Sequence, residues 1–281
     1  MIAPAFLLTI VLLYSTCVHG FFFSSEPEKK WNALKTTWGA NPFSSDNFVE
    51  MPRTEEKAIK EGFVKISGCN ESSAFRGSRY VKSGDYAVVL LFDANGYIAG
   101  IQTGVSNHLG NGFPSSNMRP LFSEDRDQLF LTAYFVEPSL ICTKGRSASE
   151  FQLQGTGSNL YFQKGSDPAE LILMPRNESA LPGTKWGDGK CFITMGKHYW
   201  YDFRIDTSCT DYFPMFLMYN DGMLNAFGWA LAAELTSRRY EHPPKSLLSL
   251  FIDTVPRCLY DLDHMSTMHI FLTDKIRKNQ C

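Results

Sequence analysis

The chain has 281 residues, of which 44% are hydrophobic and 20% are charged, and its formal net charge is −2. This composition is typical of a globular protein with an ordinary core, and it excludes intrinsic disorder as a description of the whole chain. There is no basic excess that could neutralise phosphates, so no nucleic-acid partner is predicted.

The first 20 residues are typical of a secretory signal peptide. An apolar run from Phe6 to Leu13 is followed by small and polar residues that end in an acceptable cleavage context, Val18-His19-Gly20. The segment before the run has no Lys or Arg, which leaves a membrane anchor as the alternative, but the run is shorter than the roughly 20 apolar residues of a spanning helix. We expect removal of residues 1–20, a short N-terminal segment over residues 21–37, and a secreted, extracellular protein without a membrane span.

Export also explains the cysteines. Cys17 is one of seven and leaves with the signal peptide, so six remain (7 − 1). An even number in an oxidising compartment predicts disulfide bonds, three in this case. Asn70 and Asn177 each begin an Asn-x-Ser tripeptide without proline, so we expect a glycoprotein with glycans at both.

Two parts of the chain show the same order of features. Met-Pro-Arg occurs at residues 51–53 and again at 174–176, and a cysteine follows each, Cys69 and Cys191. A tripeptide alone proves little, because chance supplies several in a chain of this length. The features that come after the two cysteines carry the argument.

Each cysteine precedes a β-hairpin signal. Residues 86–101 hold two apolar runs separated by the turn sequence DANG, and residues 215–227 hold two apolar runs separated by NDG. Asn-Gly and Asp-Gly between apolar runs are strong hairpin signals, because both residues tolerate positive φ. A further apolar strand follows in each case and leads to a last cysteine, Cys142 after residues 129–136 and Cys281 after residues 267–273.

This order predicts an internal duplication. The first β-rich module would cover residues 38–142, a linker 143–156, and the second module 157–281. The alternative is one β-rich domain with coincidental hairpins. Equivalent cysteines of two copies should pair equivalently, which predicts three disulfides, Cys69–Cys142, Cys191–Cys281 and, from the two left over, Cys209–Cys258.

Two helices are predicted. Residues 55–61 follow Thr54, which can cap the helix, and precede Gly62. Residues 245–255 have apolar residues at helical spacing after two prolines and form a helical insertion in the second module. With a further strand over residues 199–205, the fold class is α+β, mainly antiparallel, with few short helices.

No catalytic motif survives scrutiny, so catalytic residues cannot be named. Three disulfides leave no thiolate, and residues 104–108 (GVSNH) lack the closing Gly of a nucleophile elbow. No cofactor and no metal are predicted, although residues 261–269 (DLDHMSTMH) suggest an alternative copper site that uses His198, His264 and His269.

Aromatic residues are the remaining candidates for ligand contact. Tyr199, Trp200 and Tyr201 put amphipathic rings on both faces of one strand, and Trp229 follows the second hairpin. Exposed rings of this kind suit sugar faces or a partner protein, whereas buried ones belong to the core. We therefore expect an extracellular binding or matrix module for a protein or glycan ligand. The alternative is a secreted enzyme with a site between the modules, a carboxylate hydrolase or a copper-dependent oxidase.

Overall fold

A computed structural model describes residues 30–39, 41, 43–110 and 112–281. The predicted signal peptide, residues 1–20, lies outside the described residues, and so does Cys17. Two antiparallel sheets and a few short helices make up the fold, which confirms the mainly antiparallel class. Over the described ranges, no helix has both the length and the apolar character needed to cross a bilayer.

The strands, in chain order, are short and end at turn residues. They are β1 (Lys35–Thr36), β2 (Val49–Glu50), β3 (Phe63–Ser67), β4 (Ser78–Lys82), β5 (Asp85–Phe92), β6 (Ile98–Ser106), β7 (Ser123–Asp125), β8 (Gln128–Tyr134), β9 (Leu160–Gln163), β10 (Leu171–Met174), β11 (Trp186–Phe192), β12 (Gly196–Tyr201), β13 (Met215–Asn220), β14 (Met223–Leu231) and β15 (Ser266–Phe271).

The first sheet has the order β10-β9-β8-β6-β5-β4-β3, with β7 also paired to β8. The second sheet has the order β11-β12-β13-β14-β15-β1-β2. Strands β5 and β6 form the hairpin predicted over residues 86–101, and β13 and β14 form the one predicted over 215–227. The turn residues Gly96 and Gly222 have φ of 79° and 72°, which is the backbone conformation that favours glycine.

In the described part of the chain, four α-helices and four 3-10 helices connect the strands. The α-helices are α1 (Glu55–Lys60), α2 (Pro138–Ile141), α3 (Ala148–Gln154) and α4 (Arg257–Asp261), and the 3-10 helices cover Arg119–Leu121, Glu178–Ala180, Lys245–Leu250 and Ile276–Lys278. The side chain of Thr54 accepts a hydrogen bond from the backbone N–H of Lys57 and so caps α1.

The insertion near residues 245–255 is a 3-10 helix that stops at Leu250 rather than a longer α-helix. Its end is held by the edge of the second sheet. The carbonyl of Phe251 accepts from the N–H of Lys190 at 3.1 Å, and Ile252 forms a β-bridge with Gly189. Pairing with β11 removes these residues from a helix that their spacing alone would have continued.

Most strands of the first sheet come from the first part of the chain, and most strands of the second sheet come from the second part. Each sheet also includes one pair of strands from the other part. The pair β1 and β2 directly precedes the first Met-Pro-Arg, yet β1 pairs with β15 of the second sheet. The pair β9 and β10 leads into the second Met-Pro-Arg, yet β9 pairs with β8 of the first sheet. The chain therefore crosses between the sheets at both tripeptides.

The two crossing points make the same backbone contacts. The carbonyl of Arg53 accepts from the N–H of Ile98 at 3.0 Å, and the carbonyl of Arg176 accepts from the N–H of Leu224 at 2.9 Å. Two residues further on, Glu55 donates to Gly96 at 2.8 Å and Glu178 donates to Gly222 at 2.9 Å. Each tripeptide is thus fixed to the turn of the hairpin that follows it.

Three disulfides close the chain: Cys69–Cys142, Cys191–Cys281 and Cys209–Cys258. They are the three pairs that the order of features predicts. The bonds link residues 73, 90 and 49 positions apart. Loops of this size make a disulfide worth a few kcal/mol, about 4 in the chain-entropy model. All three fit an extracellular, disulfide-bonded protein.

The sheets pack face to face through large apolar side chains. Phe135, directly after β8, lies 6.3 Å from Phe227 of the second sheet, and Phe162 of β9 lies 6.2 Å from Trp229, measured between ring centroids. Because side chains alternate along a strand, the neighbours of Phe227 and Trp229 point the other way, to the outer face of the second sheet. That outer face carries the candidate site.

Candidate functional site

A cleft of about 380 Å³ lies on the outer face of the second sheet. Strands β12, β13 and β15 form its floor, and the segment over residues 238–252 covers it. Rings and aliphatic side chains supply most of the wall, namely Trp38, Trp200, Phe216, Leu247, Leu248 and Phe251. Two imidazoles and one carboxylate, from His198, His269 and Glu241, are the polar groups on which the chemistry depends.

The floor exists because of a glycine. Phe216 pairs in register with Gly228, and Gly228 pairs with His269. A Cβ atom on Gly228 would lie 2.1 Å from Cζ of Phe216, so the phenyl ring occupies the space that a side chain would take. The ring centroid of Phe216 then lies 5.0 Å from that of His269 and 4.8 Å from that of Trp200.

Glu241 holds His269 in one orientation. Its Oε2 accepts from Nδ1 of His269 at 2.5 Å and from Oγ1 of Thr267 at 3.0 Å. Its Oε1 accepts from the backbone N–H of Trp38 at 2.6 Å and from that of His269 at 3.3 Å. Four donors therefore satisfy a carboxylate whose side chain is only 13% exposed.

The second ring nitrogen of His269, Nε2, is the one that Glu241 does not hold. Among the described residues, none makes a hydrogen bond to Nε2 of His269. Since Nδ1–H donates to Glu241, a neutral imidazole carries its lone pair on Nε2. The ring lines the cleft, so Nε2 is the acceptor that it offers to a bound molecule.

His198 is a second acceptor, deeper in the floor. Its Nδ1 donates to the carbonyl of Lys190 at 3.2 Å, and its Nε2 is buried without a partner in the described part of the chain. Burial and, to a smaller extent, the neighbouring His269 lower the pKa of His198 to about 3, so the ring is neutral. The two imidazole centroids are 6.0 Å apart.

Of the aromatic residues named from the sequence, one lines the cleft. Trp200 forms part of its wall, with 5% of its surface exposed. Tyr199 is on the opposite face and donates to Glu178 at 2.6 Å, while Trp229 is 0% exposed and packs in the core. Tyr201 is half-buried against Trp186. The four rings therefore do not form one exposed platform.

The structure brings together two of the three histidines named for copper. His264 is 53% exposed and pairs with Glu234 at 3.3 Å, away from the cleft that His198 and His269 line. Within the described ranges, no group of three or more His, Cys, Asp or Glu residues could hold a metal ion. Asn70 and Asn177, the two glycan acceptors, are both exposed.

Sequence reasoning missed Glu241 and Trp38, which shape the site as much as the histidines do. Glu241 is 28 positions before His269, and Trp38 is 203 positions before Glu241, so no local spacing connects them. In the sequence, the only local sign of this site is the pair of polar residues Glu241 and His242, which stands before two prolines. Comparison with protein-family models, with curated proteins and with solved structures finds no match for this chain, so the cleft itself is the evidence for function.

Proposed function

We propose that the chain is an extracellular binding protein that holds a small, largely apolar molecule in the cleft of the second sheet. The carrying observation is an aromatic cleft with a carboxylate-held imidazole, because binding sites for small molecules combine apolar walls with a few placed polar groups. The sequence predicts a protein or a glycan as ligand. A smaller ligand fits better, since Tyr199, Trp200 and Trp229 are each at most 5% exposed and offer no flat platform.

The proposal includes export. It rests on the predicted signal peptide over residues 1–20, on three disulfides and on two exposed sequons, Asn70 and Asn177. Expression of the full chain in a eukaryotic secretory host tests this part. A secreted product that begins near residue 21 and loses mass on glycosidase treatment supports it, and retention in the cell with an intact N-terminus contradicts it.

We also infer that the fold arose by internal duplication, with copies over residues 38–142 and 157–281, and that the strand pairs which lead into the two Met-Pro-Arg tripeptides are exchanged between the sheets. Matching contacts at Arg53 and Arg176 support this, together with a matching glycine at the start of β4 and β12. Gly77 and Gly196 have φ of 106° and 107°. An experimental structure in which the two sheets superpose with Gly77 on Gly196 would support the duplication, and a different register would contradict it.

A fluorescent probe tests the binding function. N-phenyl-1-naphthylamine is a neutral molecule in which a phenyl ring is joined to a naphthalene through an N–H group. Its fluorescence increases in apolar surroundings, and we expect one probe to bind per chain. Leu247 lines the cleft and is 40% exposed, so Leu247→Trp fills space without disturbing the core. We expect this variant to lower probe affinity by about tenfold, which corresponds to about 1.4 kcal/mol.

The matched control is Leu250→Trp. Leu250 belongs to the same 3-10 helix and is 44% exposed, but it does not line the cleft. Its variant should bind the probe as the unchanged protein does. The proposal is wrong if the unchanged protein binds no probe, or if both variants bind it equally.

The Glu241–His269 pair favours a second candidate function, a hydrolase. A carboxylate-oriented imidazole is the base of many hydrolytic sites. In the described part of the chain, no Ser, Thr or Cys side chain is hydrogen-bonded to the ring of His269, so water would be the nucleophile. Water would give a proton to Nε2 and add to an ester carbonyl, and the leaving alcohol would take the proton back from Nε2.

The hydrolase candidate is tested with 2-naphthyl acetate, which suits the cleft and releases 2-naphthol. Turnover that Glu241→Gln removes and Leu250→Trp retains would support a hydrolase. If the unchanged protein hydrolyses 2-naphthyl acetate no faster than the Glu241→Gln variant does, the hydrolase candidate is wrong and the binding function still stands.

A further inference from the structure

We propose that the cleft selects neutral molecules of one to three rings that carry a single hydroxyl or N–H donor, and that Glu241 sets this preference through His269. This inference rests on the binding function proposed above. It adds the chemical class of the ligand and assigns Glu241 as a positioning residue.

The size of the cleft limits the ligand. Liquid water takes up about 30 Å³ per molecule, so the cleft has room for about a dozen waters. Aromatic molecules of one to three rings with few substituents take up less than this volume, so they fit in the cleft. The half-buried rings of Trp38 and Phe251 supply apolar walls on which such a molecule can pack.

The polar groups limit the ligand further, because they are acceptors. Nε2 of His269 accepts in the neutral tautomer and has no donor among the described residues, whereas Nε2 of His198 is fully buried beneath the floor and is not accessible to a ligand. A bound ligand buries Nε2 of His269, and because a buried acceptor that lacks a partner costs free energy, a donor on the ligand removes that cost. The geometry therefore favours a hydroxyl or an N–H on the ligand over a purely apolar molecule.

The charges around the cleft disfavour an anionic ligand. Glu241 brings a negative charge against the site, and the cation at its rim, Arg238, pairs with Asp46 and is 81% exposed. A carboxylate in the cleft would thus lie near Glu241 without a buried cation of its own. A neutral donor avoids this repulsion.

Glu241 fixes which nitrogen of His269 accepts. Two backbone donors, Trp38 N–H and His269 N–H, both point at Oε1 of Glu241. In Glu241→Gln, these donors require the amide oxygen at that position, which puts the NH₂ group against Nδ1 of His269. Nδ1 must then accept, and the proton moves to Nε2. The variant should therefore offer the ligand a donor in place of an acceptor.

The experiment compares four matched probes, each displacing N-phenyl-1-naphthylamine at pH 8, where free imidazole is neutral. They are naphthalene, 2-naphthol, 2-methoxynaphthalene and 2-naphthoate. In the unchanged protein we expect 2-naphthol to bind about tenfold more tightly than naphthalene and than the ether, since one hydrogen bond is worth about that factor. In Glu241→Gln the order of 2-naphthol and the ether should reverse.

Each outcome has a distinct meaning. Equal affinity for the first three probes, or tightest binding of 2-naphthoate, would overturn the inference and leave the binding function standing. No displacement by any probe, with no binding of the naphthylamine itself, would overturn the binding function. A loss of affinity in Glu241→Gln without reversal would mean that Glu241 is only structural and would overturn its role.

A measurement on the unchanged protein keeps the inference testable if Glu241→Gln does not fold. Imidazole ¹⁵N shifts at pH 8 report the tautomer of each histidine. We expect His269 to be protonated on Nδ1 alone and its Nε2 resonance to move when 2-naphthol is added. Protonation on Nε2, or no movement of that resonance in the presence of bound 2-naphthol, would contradict the proposal.

Discussion

The outer faces of the two sheets can be compared strand by strand, and equivalent positions carry different side chains. In the first sheet, Arg79 of β4 lies opposite Leu91 of β5, as His198 of β12 lies opposite Met218 of β13. Around Arg79 the face is filled. The guanidinium is between the rings of Phe75 and Phe130, at 4.3 and 4.5 Å, and is 1% exposed.

A cross-strand glutamine accounts for part of the difference. Gln102 accepts from Nε of Arg79 at 2.9 Å and donates to Thr132 at 2.8 Å, which links three strands of the first sheet. In the second sheet the residue paired with His269 is Gly228, which has no side chain to make such a link. The comparison indicates two reasons for the cleft in the second sheet. Gly228 has no side chain to link the strands, and the covering segment over residues 238–252 supplies the carboxylate of Glu241.

The largest effect is expected when the filled face loses its cation. Arg79→Met keeps an apolar stem of similar length but leaves Gln102, which is 0% exposed, without its donor and separates Asp125 from its ion-pair partner. Removing one member of a buried pair is strongly destabilising, and since Asp125 is 38% exposed we expect a loss of about 3 kcal/mol. Chemical denaturation measures the free energy of unfolding.

Arg119→Met is the control for this prediction. Arg119 pairs with Glu124 at 2.9 Å, but both side chains are about half exposed, at 46% and 51%. We expect a change of no more than about 1 kcal/mol, because exposed ion pairs contribute little. Equal losses in the two variants would show that the face around Arg79 is not a closed network.

The open face should be sensitive to a single methyl group. In Gly228→Ala, the new Cβ would lie 2.1 Å from Cζ of Phe216 and 2.6 Å from the carbonyl of Met268, so the ring must move toward the cleft. We expect a loss of about 2 kcal/mol from overpacking, with loss of probe binding. Gly187→Ala is the matched control, because its Cβ would meet only the carbonyl of Trp200, at 3.7 Å. If Gly228→Ala keeps both stability and probe affinity, Gly228 does not shape the cleft.

The sequence predicted those parts of the fold that local signals encode. Turns at Gly96 and Gly222 between apolar runs define two hairpins, and the order of the cysteines defines three disulfides. The exchange of strand pairs could not be predicted, because β1 is only two residues long and has no periodic pattern. Alternation placed Trp200 and Tyr201 on opposite faces, but only the packing of Phe227 and Trp229 against the first sheet decides which face is outer. The pairing of Glu241 with His269 depends on that same packing.

At neutral pH the two faces do not differ in this respect, and the last expected effect separates them by their response to acid. Arg79 stays charged on the filled face, whereas burial holds the pKa of His198 at about 3 on the open face. In the unfolded chain a histidine has a pKa of about 6.5, so between pH 6.5 and 3 the unfolded state binds a proton that the folded state does not. The stability that neutral His198 contributes is therefore complete above pH 6.5 and is lost as the pH falls, by up to about 1.4 kcal/mol for each pH unit.

Replacement by phenylalanine removes this proton. In His198→Phe, the free energy of unfolding should fall less steeply with acid than in the unchanged protein, by about 1.4 kcal/mol per pH unit between pH 6 and 4. The substitution also removes the hydrogen bond to the carbonyl of Lys190, which lowers the free energy of unfolding by the same amount at every pH. The prediction therefore concerns only the slope of the free energy of unfolding against pH. Met218 pairs in register with His198, is buried and does not titrate. Met218→Leu is therefore the control, and its free energy of unfolding should depend on pH as that of the unchanged protein does. Parallel curves for His198→Phe and the unchanged protein would mean that His198 accepts a proton in the folded state, and that the floor of the cleft is open to water rather than closed by its aromatic walls.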